Sequence, residues 1–168
     1  MKKNKAIFFD RDGVINHDPG DYTMSLAGFH ILPTVTDALK MATDAGFKVI
    51  VITNQGGIVK GLYTADEVEK MHSHLRSVCE KAGVEITRIY YSPHHPDFGN
   101  SLSRKPQPLL MQRALARYDL DPSQCVMIGD RERDVQCANA AGVRGVLMPT
   151  NAPLIDFVKS FLQEQKQA

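Results

Sequence analysis

The sequence predicts an α/β fold, an open three-layer sandwich around a central, mainly parallel sheet. Two observations carry this. Short apolar runs alternate with amphipathic stretches, strand then helix, five times over, the arrangement that builds a parallel sheet through right-handed crossovers. Most of the runs are nearly continuous in apolar character, as central strands covered on both faces are.

The first strand is expected at 5–9 (KAIFF). Residues 15–33 form the longest irregular stretch, and a loop of that length inside a compact domain is usually functional or disordered. A helix at 36–45 ends at Gly46, a residue suited to the position after a helix. The second strand is 47–53 (FKVIVIT). The clearest helix runs 64–82. Thr64 and Glu67 form a T-x-x-E capping box, Val68, Met71, Leu75, Val78 and Ala82 recur at helical spacing, and Gly83 ends it. The third strand is 86–91 (ITRIYY). A helix at 108–118 carries Leu109, Met111, Leu115 and Tyr118 on its apolar face. The fourth strand is 124–128 (QCVMI), its helix 133–141, and Gly142 follows. A fifth strand at 143–148 and a helix at 154–165 complete the set. The apolar stripes of all these helices are read as core.

No repeat, low-complexity tract or linker divides residues 1–168, which read as a single domain long enough for its own core. Lys and Arg number 20 and Asp and Glu 19, a balance that gives no reason to expect nucleic acid or an anionic membrane as partner. Cys79, Cys125 and Cys137 are too few and too scattered for a disulfide framework, so a reducing compartment is expected. The start MKKNKAIFF is basic then apolar, but the apolar run stops at Asp10, short of the roughly 7–15 residues a signal sequence needs. No run approaches the ~18 apolar residues of a membrane span. The expectation is a cytoplasmic protein, monomeric because no dimerisation arm is evident.

Ligands of an open α/β sheet bind outside the carboxyl ends of the strands. The first strand ends in FDRDG, placing Asp10 and Asp12 there. The second ends in TNQGG, placing Thr53, Asn54 and Gln55. Arg104-Lys105-Pro106 follow the third. The fourth ends in GDRERD, with Asp130 and then Asp134. Asp10 and Asp12, two apart, lean the same way on an extended chain. Acids so close repel one another, and a hard divalent cation such as Mg²⁺ relieves this through carboxylate oxygens, water and a substrate phosphate. Lys105 adds a fixed positive charge for phosphate oxygens and Thr53 a hydroxyl donor. A carboxylate can attack phosphorus itself while a second acid handles the leaving oxygen and the water.

Asp10-Arg11-Asp12-Gly13-Val14, Thr53, Lys105 and Gly129-Asp130-x3-Asp134 resemble the four ordered motifs of haloacid-dehalogenase-superfamily phosphatases, across residues 5 to 148. The resemblance implies a nucleophile and Mg²⁺ ligand in Asp10, and a general acid/base in Asp12 with its backbone carbonyl on the metal. It implies phosphoryl-holding groups in Thr53 and Lys105, a Mg²⁺ ligand in Asp130, and in Asp134 a carboxylate orienting metal-bound water or Lys105. A narrower resemblance lies in TNQGGIVKGLYT (53–64) and YYSPHHP (90–96) followed by RKP. These look like the D-glycero-D-manno-heptose 1,7-bisphosphate phosphatases, which lack a separate cap domain. It implies a small phosphorylated sugar as substrate, with Asn54, Gln55 and Arg104 facing the sugar or its second phosphate. IGDRERD, with Arg131 after the aspartate, is more like the related histidinol-phosphate phosphatases, so that substrate stands as the alternative. Leu109 replaces the glycine of the family's RKPxPG, which touches helix entry more than chemistry.

Relatives with the full pattern carry C-x-H and C-x-C before RKP, a closed zinc site. Here those positions are Ser92, His94, Ser101 and Ser103. A serine hydroxyl is a poor zinc ligand beside a thiolate, so a zinc-free loop is expected, with His94 and His95 as packing and hydrogen-bonding residues. Plainer roles stand beside the functional ones. Asp134 could cap a helix or pair with Arg131 or Arg133, and Asn54 and Gln55 could satisfy turn backbone. His72 and His74, on the long helix, are expected to face no site, and Asp18 and Tyr22 carry no assignment. A receiver-type signalling domain would need its phosphorylated aspartate at the third strand, which here ends in Tyr91-Ser92.

Overall fold

A computed structural model describes residues 3–167. Among these the elements follow in the order β1 (Ala6–Phe9), α1 (Val35–Asp44), β2 (Lys48–Asn54), α2 (Ala65–Lys81), β3 (Ile86–Ser92), α3 (Leu109–Arg117), β4 (Val126–Gly129), α4 (Glu132–Ala140), β5 (Arg144–Leu147) and α5 (Leu154–Gln167). Every strand and helix expected from the sequence is present, with ends shifted by a residue or two, as fraying ends do.

The five strands form one sheet in the order β3-β2-β1-β4-β5, and every pairing is parallel. The chain leaves β1 toward β2 on one side and later returns to place β4 on the other. The carboxyl end of β1 is therefore the switch point where a crevice opens.

Side-chain alternation along the strands sorts the core into two layers. Ile7, Phe9, Val49 and Val51 face one way, against Leu39, Met71, Leu75, Val158 and Phe161 of α1, α2 and α5. Ala6, Phe8, Ile50 and Ile52 face the other, against Leu110, Met111 and Ala114 of α3 and Cys137 and Ala138 of α4. Each large apolar side chain so withdrawn from water stabilises the fold by roughly 1.5–3 kcal/mol. The three thiols are free and buried.

Two local expectations are refined. Thr64 caps α2 by accepting the Glu67 amide at 3.2 Å, but the Glu67 carboxylate turns to Lys70 at 2.6 Å, so only half of the capping box appears. The irregular stretch after β1 is an ordered flap holding one 3-10 turn, Leu26–Gly28. Its two arms zip together through His17 N to His30 O and Leu32 N to Ile15 O, at 2.8 and 2.9 Å.

Candidate active site

Four strand ends converge on the crevice. Asp10 leaves β1 buried, its Oδ1 accepting from the Arg11 amide and from Lys105 Nζ, both at 2.8 Å. Both contacts fall on Oδ1, not Oδ2. Lys105 is 1% exposed and also donates to Ile52 O at 2.7 Å, while Asp134 Oδ1 lies 2.7 Å from the same ammonium. Asp134 Oδ2 accepts from the Arg131 amide at 3.0 Å and closes the first turn of α4. It thus fills both roles the sequence left open, helix cap and lysine partner. Gly129 makes this possible, since a Cβ there would stand 2.3 Å from Asp134 Cβ.

The charges are unbalanced. Asp10, Asp130 and Asp134 bring ligand oxygens within 4.8 Å of one another, and Lys105 faces only two of the three. Burial, then repulsion from Asp134, pushes Asp10 up to about 7 against the pull of Lys105. Burial likewise raises Asp130. Burial works to strip the proton from Lys105, but Asp10 and Asp134 outweigh it and lift its pKa. Asp130 Oδ2 accepts from Thr150 Oγ1 at 2.7 Å, while Oδ1 is buried with no hydrogen-bond partner. An orphaned carboxylate oxygen among raised acids fits a divalent cation, and an all-oxygen donor set suits Mg²⁺. The turn needs Gly13, whose φ is +81° and where a Cβ would sit 2.4 Å from Asp130 Oδ2.

Asp12 sits in a separate cradle. Arg11 Nη2 reaches both its oxygens, at 2.9 and 3.1 Å, Asn16 Nδ2 donates to Oδ1 at 2.9 Å and Gln55 Nε2 to Oδ2 at 2.9 Å. Burial works to raise its pKa, but the charge and hydrogen bonds of Arg11, with those of Asn16 and Gln55, hold it below the usual carboxylate range. Gln55 is oriented by Tyr63, whose hydroxyl donates to Oε1 at 2.8 Å. Gly57 gives the Tyr63 ring its room, since a Cβ there would lie 2.1 Å from the ring. Gln55 Nε2 also donates to Thr53 Oγ1 at 2.9 Å, so this contact does not use the Thr53 hydroxyl proton.

Asn54 and Gln55, expected to face the substrate, both line the cavity, yet their amides are engaged on the protein. Asn54 accepts from the Lys105 amide at 3.0 Å and donates to the Lys105 carbonyl at 3.1 Å, clamping that residue to the end of β2. His72 departs from expectation. It is 2% exposed and lies with Nε2 3.3 Å from Arg11 Nη1. Its spacing on α2 marks an inward-facing position, which helical periodicity shows, but its partner is a tertiary matter.

A cavity of about 300 Å³ opens beside Asp12, with Asp18, Tyr22, Arg104, Arg131 and Arg133 on its walls. Arg131 is engaged, 2.9 Å from Asp18 Oδ2 and 3.4 Å from Asp130 Oδ2. Arg104 donates to the His94 carbonyl at 2.8 Å. Burial and the charge of Arg133 both lower its pKa. Among the described residues neither Arg104 nor Arg133 makes an ion pair. Upstream, Ser103 Oγ lies 2.9 Å from Ser92 Oγ and 3.0 Å from Ser101 Oγ. The His95 ring accepts the Asp97 amide at 3.2 Å and caps the turn Pro96–Phe98.

The HAD-hydrolase-like family model matches residues 102–154. The chain is 36% identical over 152 residues to the D-glycero-alpha-D-manno-heptose-1,7-bisphosphate 7-phosphatase of Burkholderia mallei, covering 87% of this chain and 80% of that one. It is also 36% identical over 155 residues to the D-glycero-beta-D-manno-heptose-1,7-bisphosphate 7-phosphatase of Helicobacter pylori, covering 92% and 88%. The crystal structure of D,D-heptose 1,7-bisphosphate phosphatase from B. bronchiseptica, complexed with magnesium and phosphate, superposes with a TM-score of 0.87 at 28% identity, covering 96% of this chain and 99% of that one. With its motifs in place at four strand ends, the chain belongs to the heptose-bisphosphate phosphatase family of haloacid-dehalogenase-like hydrolases.

Proposed function

We infer that this protein is a Mg²⁺-dependent phosphomonoester hydrolase that removes the 7-phosphate of D-glycero-D-manno-heptose 1,7-bisphosphate. The observation that carries the substrate is a pair of guanidinium groups in the cavity beside Asp12: Arg104 and Arg133 line it, neither in an ion pair among the described residues, and both suit a second phosphate. The buried Asp10, Lys105 and Asp130, which suit the phosphate that is cleaved, stand beside this cavity and not in its wall. Histidinol phosphate, the alternative, has no second phosphate for these two guanidinium groups to meet.

In this reading Asp10 Oδ2 attacks phosphorus, the bond from phosphorus to the sugar oxygen breaks, and an aspartyl-phosphate forms. Asp12 is held ionised in the free protein, so it must take up a proton as the phosphate enters; it gives that proton to the leaving oxygen and then takes one from the water that hydrolyses the intermediate. Lys105 and the Thr53 hydroxyl hold the transferring oxygens, and Asp134 holds Lys105. The carboxylates of Asp10 and Asp130 with the Asp12 carbonyl would hold Mg²⁺, which when bound neutralises the phosphoryl oxygens and the crowded acids. Asn54 serves by fixing Lys105, Gln55 by orienting Asp12 and Thr53, and Arg104 by meeting the second phosphate.

The 92–105 loop is proposed to work without zinc, its three hydroxyls holding one another where thiolates would hold a metal. Metal analysis of purified protein should find no stoichiometric zinc; one tightly held zinc per chain would overturn this. We place the protein as a cytoplasmic monomer with no nucleic-acid or membrane partner. No helix among the described residues is long and apolar enough to cross a membrane, and a stable dimer on a sizing column would contradict the oligomeric part. The deciding experiment is kcat/KM measured side by side for both heptose bisphosphate anomers and histidinol phosphate. At least one heptose bisphosphate should lead by tenfold or more. Parity among all three would defeat the substrate assignment while leaving the phosphatase intact.

A further inference from the structure

Arg11 stands between two catalytic acids and is wholly buried, with 0% exposure. A guanidinium presents five donors and no acceptor, so a dry pocket must supply acceptors in fixed places. Asp12 takes Nη2. The Phe29 ring lies 5.4 Å from the guanidinium carbon, and Nε has no partner. The remaining contact recorded for the guanidinium is His72 Nε2, 3.3 Å from Nη1. Since arginine can only donate, Nε2 must be the acceptor, and the imidazole carries its proton on Nδ1. Burial and the charges of Arg11 and Arg76 push the His72 pKa down to about 3, in keeping with a neutral ring. The ring's edge-on contact with Tyr91, centroids 5.7 Å apart, sets its plane.

We propose that His72 is a positioning residue for the phosphatase reaction: by accepting from Arg11 it fixes the guanidinium in the orientation that grips the Asp12 carboxylate. His72 touches neither substrate nor metal in this arrangement and acts two contacts away, through Arg11 and then Asp12. Without the acceptor, Nη1 is left buried with no recorded partner. The guanidinium then turns or draws in water, and the carboxylate it holds moves with it. Displacing a catalytic group by about 1 Å costs on the order of 100-fold in rate. The inference rests on the phosphatase reading above and adds to it a residue on α2 outside the cavity.

The test compares His72→Phe, which keeps a ring and removes the acceptor, with His72→Gln, whose amide oxygen can stand near the Nε2 position. Both are assayed on heptose 1,7-bisphosphate with Mg²⁺, alongside Tm. The expected result is a kcat lowered about 10- to 100-fold in His72→Phe with KM within about twofold of wild type, and His72→Gln within about threefold of wild type on both. Equal losses in the two variants, or an unaltered His72→Phe, would overturn the proposal. A measurement on the wild-type enzyme stands beside the variants: ¹⁵N NMR should place the His72 proton on Nδ1, and a proton on Nε2 overturns the proposal even if His72→Phe does not fold. A wild-type enzyme inert on every phosphomonoester defeats the phosphatase reading and this inference with it. An active wild-type enzyme with an unaltered His72→Phe variant defeats this inference alone.

Discussion

The two edges of the sheet make opposite use of charge. At the amino edge a hollow of about 780 Å³, lined by Lys3, Lys5, Asp44, Lys48 and Glu85, is larger than the cavity of about 300 Å³ at the carboxyl edge. Yet at the amino edge Lys3, Asp44 and Glu85 are open to water and Lys5 merely rests over the Phe47 ring at 4.0 Å. At the carboxyl edge Asp10, Arg11, Lys105, Asp130 and Asp134 are all buried. Burying a charge is costly unless it is paired, and here Asp10 and Asp134 share one lysine while Asp130 has only a half-exposed arginine at 3.4 Å. This buried charge cluster, which stands beside the smaller cavity, is what the fold maintains against its own stability, and that separates a reaction site from a surface hollow.

Breaking the carboxyl edge should therefore have the largest effects. Asp10→Asn removes the proposed nucleophile and should cut phosphate release by at least ~10⁴-fold with the fold intact by circular dichroism; wild-type turnover in this variant would sink the assignment. Lys105→Met leaves Asp10 and Asp134 facing each other unneutralised. Its unfolding free energy from urea titration should drop by about 3–5 kcal/mol, and a change within 1 kcal/mol would show the acids relaxing through water instead.

A subtler break comes from pH. His72 is buried neutral with its pKa pushed down to about 3 by burial, Arg11 and Arg76, opposed in part by Asp12, whereas in the unfolded chain it titrates near its ordinary value of about 6.5. Below about 6.5 the unfolded chain takes up a proton that the folded one refuses, so this group lowers stability as pH falls toward 3. The slope it contributes is at most about 1.4 kcal/mol per pH unit. Urea unfolding of wild type and His72→Gln between pH 7 and 5 should show the extra slope in wild type alone; identical slopes would mean His72 is more open than it stands here. At the amino edge Lys5→Ala should cost only about 0.5–1 kcal/mol and leave turnover unchanged. A large kinetic effect there would undo the contrast between the edges.

Much of this was legible in the chain. Asp10, Asp12, Thr53 and Asp130 stand at strand ends, with Lys105 in the loop after β3 and Asp134 in the first turn after β4, and a parallel sheet sends all such ends to one edge. Period and glycine placement located the strands and helices to within a residue or two, because the apolar faces they predict are local properties. The uses of Asn54, Gln55 and His72 were not legible in that way. Asn54 reads as a turn amide until β2 and the 92–105 loop meet, and only then do its two amide atoms find the Lys105 backbone. Gln55 reads as a substrate contact until Tyr63 folds over it and turns its nitrogen to Asp12 and Thr53.

The sequence by itself determined the α/β architecture and the acids that follow the strands, since these come from residue type and spacing. Tertiary structure alone decided how the charges are shared. Lys105 is held between Asp10 and Asp134, Asp130 keeps one oxygen without a partner, and Arg11 is steered to Asp12 by a histidine 61 positions away along the chain. The reason is physical: a hydrogen bond depends on distances of a few tenths of an ångström between groups remote in sequence, and these arise only when the layers pack.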